Sequence, residues 1–446
     1  MEKNLYTLSF ENRLMVGQLI EVTCQSISYE GYGQVQLYSK VLIASNFFPS
    51  EKAIVRIEKI FSKYVFAKVI EIKVKSKYRN ETQLDSNSAQ LVNLNYDQQI
   101  KFKKSYLNFL FLRNFQLTQD VFQDFLTSAK QFNYRNKITY WMNKDFDNRW
   151  NFCESIQNTN KFQKEKNSFL ASKAIVDFKN SFLKFINSNS GFFDKLKPTK
   201  IMINSSRDSQ IFVILICDNL VKRDLWKFDF KKLFPSLTNL IINYNNTFFE
   251  VYKGKTFVQR IGVNKFNVLN DSFFQVNGPV AKYLFDDLAE LISKANSKSL
   301  IDFYCGVGAI TIYLATKFPE LDFYGYEKNR FAIKIANENV LINKLNPEKI
   351  KFLKFDLDKK LNDKVFQDSV IFDPPRAGLS QNLKLLVLNS ENVKNIFYIS
   401  CNPRTLVRDV KEITEKSNFK IKFIKGYDMF PQTHHIETLV WLSREN

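Results

Sequence analysis

The sequence predicts an α/β protein in which a doubly wound C-terminal sheet follows an N-terminal β-barrel and a central α+β region. Three observations support this fold class. Short apolar strands alternate with helical segments from Asn264 onward, several β-like segments crowd into the first 75 residues, and 446 residues are too many for one ordinary core. Domains usually span roughly 100–200 residues. We therefore expect a barrel at 1–75, a linker and central region at 76–263, and the doubly wound domain at 264–446.

The C-terminal region contains apolar segments that each end in a polar or small-residue turn. Helical segments lie between them, and this alternation is typical of a doubly wound parallel sheet. Such sheets bind ligands at the carboxyl ends of their strands, so we expect the site there. The predicted strands are Leu300–Phe303, Phe323–Glu327, Ile350–Asp356, Ser369–Asp373 and Asn395–Ser400, and the predicted helices include Ala309–Ala315 and Phe331–Asn339.

The first 75 residues show short β-like segments around a glycine-bearing turn at Glu30–Gly33. Five strands in about 60 residues predict a small barrel of the OB type, a common binder of oligonucleotides. An inert spacer is the alternative. Residues 76–95 are polar and predict a linker, whereas Lys200–Asn204 and Ile211–Ile216 predict buried strands in the central region. Exposed lysines and aromatic residues of that region could hold RNA, although phenylalanine is more often a core residue.

The chain is strongly basic, with 65 Lys and Arg against 45 Asp and Glu and a net charge of +20. An excess of this size favours a polyanionic partner such as nucleic acid. An AT-rich coding sequence is another source of the bias, because the chain is rich in Lys, Asn and Phe. No apolar run approaches the roughly 18 residues of a membrane span, and the N-terminus lacks the apolar core of a signal peptide. We expect a cytoplasmic protein with no membrane partner.

The five cysteines stand singly, and the chain has only two histidines. No cysteine pair has the spacing of a metal or iron–sulfur site, so we expect neither. The small number of histidines argues against a histidine-rich metal centre and a Ser-His-Asp triad.

A nucleoside-binding pattern begins at the turn Cys305–Gly308, which has only two glycines. Thr311 stands where a dinucleotide motif has its third glycine. Glu327 ends the next strand, where a carboxylate can accept hydrogen bonds from both ribose hydroxyls, and Asp356 ends the third strand, within reach of an adenine amino group. A nucleoside that needs no pyrophosphate clamp fits S-adenosylmethionine better than NAD. The alternative is that both acids are merely polar strand ends.

Two further strand ends carry reactive groups. Asp373 is followed by two prolines that hold the chain extended, and such a loop can form a wall beside a flat base. Cys401 opens the loop after the next strand, with Arg404 and Arg408 close in sequence. A cation near a partly exposed thiol favours the thiolate, which is the nucleophile. Inert packing is the alternative for a lone cysteine.

Uracil chemistry gives such a thiolate a purpose, because C5 is a poor nucleophile until sulfur adds at C6. A base must then remove the C5 proton. Glu437, just before the last predicted strand, is the best candidate for that base. His435 could orient Glu437 or act in its place, and a structural hydrogen-bonding role is the alternative.

Four segments match motifs of one family. They are Asp271–Asn277 with FFQVN, Asp302–Gly308 with DLYCGxG, Ser400–Pro403 with SCNP, and Asp428–Glu437 with DMFPxTxHVE, where Ile436 replaces valine. By these motifs the chain resembles, over nearly its whole length, the RNA uracil-5-methyltransferase family, which makes 5-methyluridine in ribosomal and transfer RNA.

The resemblance implies a Rossmann-like domain that uses S-adenosyl-L-methionine as cofactor. It also implies that Cys401 is the nucleophile that adds to C6 of uracil and that Glu437 is the general base. The cofactor-binding residues implied by the resemblance are Gln275, Tyr304, Gly306, Glu327, Asp356 and Asp373.

The N-terminal barrel is similar to the TRAM domain of the ribosomal-RNA members of the family, which favours 23S ribosomal RNA as substrate. Two departures from the family pattern stand out. The chain lacks the four cysteines that hold an iron–sulfur cluster in many ribosomal members, so no cluster is expected. Ala309 replaces an Asn that follows the glycine turn in some relatives, which puts one cofactor contact in doubt. Transfer RNA as substrate, a cytosine-5 enzyme and a noncatalytic RNA-binding or RNA-folding protein are the alternatives.

Overall fold

The structure is a computed structural model, and it describes residues 14–81, 83–84, 88–156, 161–220, 228–268, 272–359 and 367–445. Its contacts divide the chain into two compact units. One contains the residues up to Leu107 together with Phe430–His435, and the other contains Asn108–Met429 and the residues from Ile436 onward. Within the described ranges, no helix is long and apolar enough to cross a membrane.

The N-terminal strands are β1 (Leu19–Thr23), β2 (Ser26–Ile27), β3 (Gly33–Leu37), β4 (Lys40–Ala44), β5 (Lys52–Ile60) and β6 (Tyr64–Val74). They form one six-stranded sheet in the order β1-β5-β6-β4-β3-β2. Alternate side chains of five strands enter a single apolar core, among them the fully buried Ile20, Leu42 and Val55. This inward alternation is expected of a barrel-like sheet. The predicted barrel-like fold is confirmed, and β2 escaped prediction because two residues show no alternation.

The segment after β6, predicted as a linker, makes buried contacts with the turn between β4 and β5. Nε of Arg79 donates to Oε1 of Glu51 across 2.5 Å and Nη2 donates to Oε2 across 2.8 Å, with both residues buried. Leu91 and Leu94 pack in an apolar cluster with Phe48. A pairing across 28 residues leaves no periodic signal in the sequence.

The central region contains a second sheet with helices packed on one face. Its β-strands are β7 (Lys137–Lys144), β8 (Trp150–Ser155), β9 (Phe162–Lys164), β10 (Pro198–Ser205), β11 (Ile211–Cys217), β12 (Leu237–Tyr244) and β13 (Thr247–Lys253), in the sheet order β13-β12-β11-β10-β7-β8-β9. The helices are α1 (Tyr96–Asn114), which precedes the sheet, α2 (Lys173–Ser188), α3 (Ser190–Leu196) and α4 (Phe230–Leu233), with a 3₁₀ turn at Gln119–Val121. Phe178 and Phe182 of α2 share one core with Ile201 of β10 and Leu215 of β11. Many phenylalanines of this region are therefore core residues.

The C-terminal region opens with a hairpin of β14 (Val258–Ile261) and β15 (Asn264–Asn267) and continues as a seven-stranded sheet. The sheet strands are β16 (Ser299–Phe303), β17 (Asp322–Glu327), β18 (Ile350–Lys354), β19 (Ser369–Phe372), β20 (Asn395–Ser400), β21 (Phe419–Tyr427) and β22 (Glu437–Arg444). The helices are α5 (Gly278–Lys294), α6 (Ala309–Lys317), α7 (Arg330–Ile342), α8 (Gln381–Leu388) and α9 (Pro403–Glu415).

The sheet order is β18-β17-β16-β19-β20-β22-β21, and the first five strands in that order are parallel. Strand β22 runs antiparallel to both β20 and β21. Every residue of β19 and β20 is buried, as expected for parallel strands covered on both faces. The predicted doubly wound α/β fold is confirmed, and the predicted strand ends agree within one or two residues.

Candidate active site

The predicted site residues gather at one edge of the C-terminal sheet. Strands β16, β17, β19 and β20 are parallel, so the residues that follow them, including Tyr304, Asp373 and Cys401, lie at the same edge. Strand β22 runs the other way, and its start pairs there through Ser400 and Thr438. Glu437 therefore joins the edge from a chain segment far from the others in sequence.

The turn after β16 contains two glycines, and at Gly308 the backbone packs closely against the Phe352 side chain. Gly308 has φ +80°, and a Cβ there would lie 2.7 Å from the Phe352 ring. Gly306 has φ +54° and open space where a side chain would be. Its amide donates a 3.2 Å hydrogen bond to Oε2 of Glu327, whose Oε1 accepts one from the Asn329 amide at 2.8 Å. The Glu327 carboxylate is thus held against the turn in a fixed orientation.

Tyr304 adopts a left-handed backbone conformation, with φ +68°. A non-glycine residue in this region stores strain of order 1–3 kcal/mol and is common at functional sites. The Tyr304 amide donates to the Tyr326 carbonyl at 3.0 Å. Burial raises the pKa of the Tyr304 hydroxyl, which lies beside Ser380 at the start of α8.

Gln275 lies in the segment before α5, and Asp356 follows the edge strand β18. Gln275 is buried, and its carbonyl accepts a 3.0 Å hydrogen bond from Nδ2 of Asn136. Asp271, the first residue of that motif, lies outside the described residues. Asp356 lies two residues beyond β18 and forms a 3.0 Å ion pair with Lys328, which lowers the pKa of its carboxyl. Asp356 therefore remains ionised and available as an acceptor.

Asp302 begins the Asp302–Gly308 motif but was not among the predicted site residues. Its side chain is 2% exposed, and its Oδ2 accepts a 2.6 Å hydrogen bond from the Thr311 hydroxyl. Its Oδ1 is buried and finds no hydrogen-bond partner among the described residues. The pKa of Asp302 is raised to about 7, chiefly by burial, with the Thr311 hydrogen bond opposing the rise and the nearby Asp373 and Glu327 contributing to it. An acid at the end of a buried strand beside a glycine turn was the available sequence signal.

These acceptors fit a ligand that is rich in N–H and O–H donors. S-adenosyl-L-methionine carries an ammonium group, two ribose hydroxyls and an adenine amino group. The unpartnered oxygen of Asp302, the Glu327 carboxylate and the open space at Gly306 match those needs. An unsatisfied buried acceptor is costly unless a ligand completes it.

Cys401 is half-buried between β20 and α9, directly before the helix N-cap Asn402. Burial raises the pKa of its thiol to about 12, and the carboxyls of Glu437 and Asp373 add to the rise. The Arg376 guanidinium opposes them and lowers the pKa of the thiol. This cation is not one of the two expected from sequence.

Arg408, one of the two expected cations, is directed elsewhere. Its Nε donates to Oδ1 of Asp409 at 2.9 Å and its Nη2 to the Ala377 carbonyl at 2.8 Å. Arg408 on helix α9 pairs with Asp409, whereas the loop after β19 carries Arg376, the cation that lowers the pKa of the Cys401 thiol. That Arg404 and Arg408 favour the thiolate stays a prediction.

Asp373 and Glu437 are two buried acids that influence one another. Burial raises the pKa of Asp373 to about 7. Burial also raises the pKa of Glu437 well above its ordinary value, with Asp373 adding to the rise and Arg376 opposing it. A carboxyl whose pKa is raised becomes a stronger base once it ionises. His435 belongs to the unit that contains the barrel, where its amide donates to the Thr433 hydroxyl at 3.3 Å.

Among the described residues, no group of three or more His, Cys, Asp or Glu side chains has the arrangement of a metal site. The reactive groups described above are one thiol, several carboxyls and one guanidinium. These groups can add a nucleophile to an electron-poor ring and remove a proton from it.

Comparison with known proteins gives a consistent result. A family model described as tRNA (uracil-5-)-methyltransferase matches residues 95–445. An uncharacterized RNA methyltransferase of Fusobacterium nucleatum is 27% identical over 98% of this chain and 99% of its own length. Another from Aquifex aeolicus is 28% identical over 95% of this chain and 98% of its own.

The fold also matches a solved structure, that of Pyrococcus abyssi tRNA (uracil-54, C5)-methyltransferase in complex with S-adenosyl-L-homocysteine. The TM-score is 0.73 at 24% identity, over 95% of this chain and 100% of that one. With the family model covering most of its length, the chain belongs to the tRNA (uracil-5-)-methyltransferase family, whose members are S-adenosyl-L-methionine-dependent RNA methyltransferases.

Proposed function

We propose that this protein methylates C5 of a uridine in RNA, with 23S ribosomal RNA as its substrate, through a covalent bond between Cys401 and C6 of the ring. Glu437 acts as the general base. The observation that carries the proposal is the pairing of Ser400 with Thr438 across β20 and β22. It brings the only half-exposed cysteine of the described residues beside a buried carboxyl.

The thiolate and the carboxyl have complementary tasks in this reaction. The Cys401 sulfur forms a bond to C6, and the electron pair of the C5–C6 double bond moves to make C5 an enolate carbon. S-adenosyl-L-methionine, when bound, supplies the electrophilic methyl group that C5 accepts. Glu437 then takes the C5 proton, the C5–C6 double bond re-forms, and sulfur leaves with the electron pair of the C6–S bond. The Cys401 thiolate and the methylated base are released, and the methyl donor leaves as S-adenosyl-L-homocysteine.

The charges at the edge support this division of roles. Arg376 is the group that favours ionisation of the thiol, against burial and two carboxyls. The raised pKa of Glu437 makes its ionised form an effective acceptor for a carbon-bound proton. The Asp373 carboxyl raises the pKa of both the Cys401 thiol and the Glu437 carboxyl.

The proposed cofactor residues include Glu327, whose carboxylate is hydrogen-bonded to the glycine turn. Glu327 accepts from the ribose hydroxyls, Asp356 from the adenine amino group and Asp302 from the ammonium group. The remaining residues proposed to hold S-adenosyl-L-methionine are Gln275, Tyr304, Gly306 and Asp373.

The RNA partner is supported by the net charge of +20 and by the barrel-like N-terminal unit. A uridine within structured RNA must be turned out of its stack so that sulfur and methyl approach the ring faces. The similarity of the barrel to the TRAM domain favours ribosomal RNA.

Transfer RNA is a second candidate substrate, and one observation favours it. The Pyrococcus abyssi enzyme that matches 95% of this chain is named as a transfer-RNA methyltransferase. A match over that much of the chain includes the barrel region, so the barrel alone does not select ribosomal RNA.

The test is methyl transfer from labelled S-adenosyl-L-methionine to unmodified 23S ribosomal RNA and, separately, to unmodified transfer RNA. The methylated nucleoside is then identified and its position mapped. We expect 5-methyluridine in ribosomal RNA. 5-Methyluridine in transfer RNA alone would show that the substrate is transfer RNA, with the proposed reaction unchanged. 5-Methylcytidine would contradict the assignment of uracil as the methylated base. Absence of transfer to both would favour a noncatalytic RNA-binding protein.

A further inference from the structure

The loop that follows β19 is tied to helix α9 by its backbone carbonyls. The Arg376 carbonyl accepts from Nδ2 of Asn402 at 3.0 Å and from the Thr405 hydroxyl at 3.2 Å. The Ala377 carbonyl accepts from Nη2 of Arg408 at 2.8 Å. Loop carbonyls have no fixed partners in a free loop, so these bonds define where the loop lies relative to α9.

Asp409 of helix α9 also binds the loop that follows β19, through its side-chain carboxylate. Its side chain is fully buried, and its Oδ2 accepts from the Leu379 amide at 2.8 Å and from the Tyr398 hydroxyl at 2.9 Å. Its Oδ1 pairs with Arg408 at 2.8 Å and with Lys384 at 3.5 Å. One carboxylate thereby joins α9, the end of the loop, strand β20 and helix α8.

The loop passes Asp409 so closely that only glycine fits. Gly378 has φ +85°, a conformation that residues with a side chain rarely adopt. A Cβ at that position would clash with the carboxylate of Asp409 and with the guanidinium of Arg408. Gly378 lies close to Asp409 because the amide of the next residue, Leu379, donates a hydrogen bond to the Asp409 carboxylate.

The loop held in this way carries two groups that act on the nucleophile. Asp373 begins the loop and Arg376 lies at its bend, and both influence Cys401. Cys401 itself stands between β20, which carries Tyr398, and α9, which carries Asp409. Asp409 contacts the elements on both sides of the thiol.

We propose that Asp409 is a positioning residue that fixes the loop from Asp373 to Leu379 against α9, and so sets Arg376 relative to the sulfur of Cys401. A buried carboxylate with four partners is suited to this task, because removing its charge takes away the carboxylate that pairs with Arg408 and leaves Lys384 paired with Glu412. This role concerns the reactivity of the thiol in the free protein. It therefore deepens the proposed function without depending on the identity of the RNA.

The test is the rate at which iodoacetamide alkylates Cys401 at pH 8, followed by peptide mass spectrometry in the absence of RNA and cofactor. Asp409→Asn keeps the size of the side chain and removes its charge. We expect a rate about tenfold lower, because withdrawing a nearby cation raises a thiol pKa by roughly one unit or more. Loss of structure alone predicts the opposite sign, since a half-buried thiol reacts faster when the fold loosens.

A double-mutant comparison makes the test specific to Arg376. Arg376→Ala should lower the alkylation rate by a similar factor, and adding Asp409→Asn to it should produce little further change. If the double variant lowered the alkylation rate by the product of the two single factors, Asp409 would not act through Arg376, and the proposal would be contradicted. Glu415→Gln, on the exposed face of the same helix, is the control and should leave the rate unchanged.

A second variant covers the case in which Asp409→Asn does not fold. The Arg408 side chain is 54% exposed, so Arg408→Gln removes the bond to Ala377 without opening the core. It should slow alkylation in the same direction. An unchanged or faster rate in the folded variants would overturn the proposal. Absence of methyl transfer by the wild-type protein would overturn the proposed function and leave this result standing.

Discussion

The amide of Gly306 and Oε2 of Glu327 are joined by a 3.2 Å hydrogen bond between the turn after β16 and the end of β17. Gly306 has φ +54°, and the position where its side chain would be is open. The Glu327 carboxylate is therefore held in place by contacts within the protein itself.

Glu327→Gln should weaken binding of S-adenosyl-L-methionine by about 10- to 100-fold, because hydrogen bonds to a charged group contribute roughly 1.5–3 kcal/mol. Isothermal titration calorimetry measures the change. Glu320→Gln, an exposed residue before β17, is the matched control and should bind as the wild type does. Equal affinities for the two variants would remove Glu327 from the cofactor site.

Asp302 should make the stability of the ligand-free protein depend on pH. Its folded pKa of about 7 lies above the ordinary value of 3.8, so its contribution is present at low pH and is lost as pH rises toward 7. Asp302→Asn stays neutral and retains an oxygen for Thr311. We expect its melting temperature to rise relative to the wild type by a few degrees between pH 5 and pH 8. A constant difference across that range would contradict the buried, protonatable carboxyl.

The rate of methyl transfer should increase with pH across the neutral range. The pKa of the Cys401 thiol is raised to about 12 and that of Glu437 is raised above its ordinary value, and both groups must be ionised to act. We expect kcat/KM to rise several-fold for each pH unit from 6 to 8. A rate that falls over this interval would show that a protonated form of one of them is required.

The pair of Arg79 and Glu51 should contribute strongly to the stability of the N-terminal unit. Both side chains are buried, and removal of one partner leaves an unpaired buried charge, at a cost of about 3–5 kcal/mol. Glu51→Gln should lower the urea midpoint of the unit accordingly, as followed by circular dichroism. Glu71→Gln breaks an exposed pair with Lys73 and should change stability by less than about 1 kcal/mol.

The sequence was sufficient to predict the strand ends of the C-terminal sheet and most residues of its edge. Strands such as β19 and β20 are continuous apolar runs because both of their faces are covered. The ends of these runs can therefore be recognised in the sequence. Glu327, Asp373 and Cys401 follow directly from those ends. Their roles remain proposals until they are tested.

The parts that escaped prediction depend on contacts between distant residues. Arg376, 25 residues before Cys401, influences its thiol, whereas Arg408, seven residues after it, turns to Asp409. The contact of Asp409 with Leu379 spans 30 residues, and no local pattern encodes it. The unpartnered oxygen of Asp302 is likewise a consequence of burial, which sequence alone does not measure.

The central claim is that Cys401 bonds to C6 of uracil and that Glu437 completes the reaction, and a trapped intermediate tests it most directly. Glu437→Gln cannot accept the C5 proton, so incubation with S-adenosyl-L-methionine and substrate RNA should give a protein–RNA adduct that survives denaturing electrophoresis. The adduct should be absent from Cys401→Ala and from the double variant, and digestion should leave a methylated nucleotide on Cys401. Full turnover by Cys401→Ala, or absence of any adduct with Glu437→Gln on an RNA that the wild type methylates, would contradict the account.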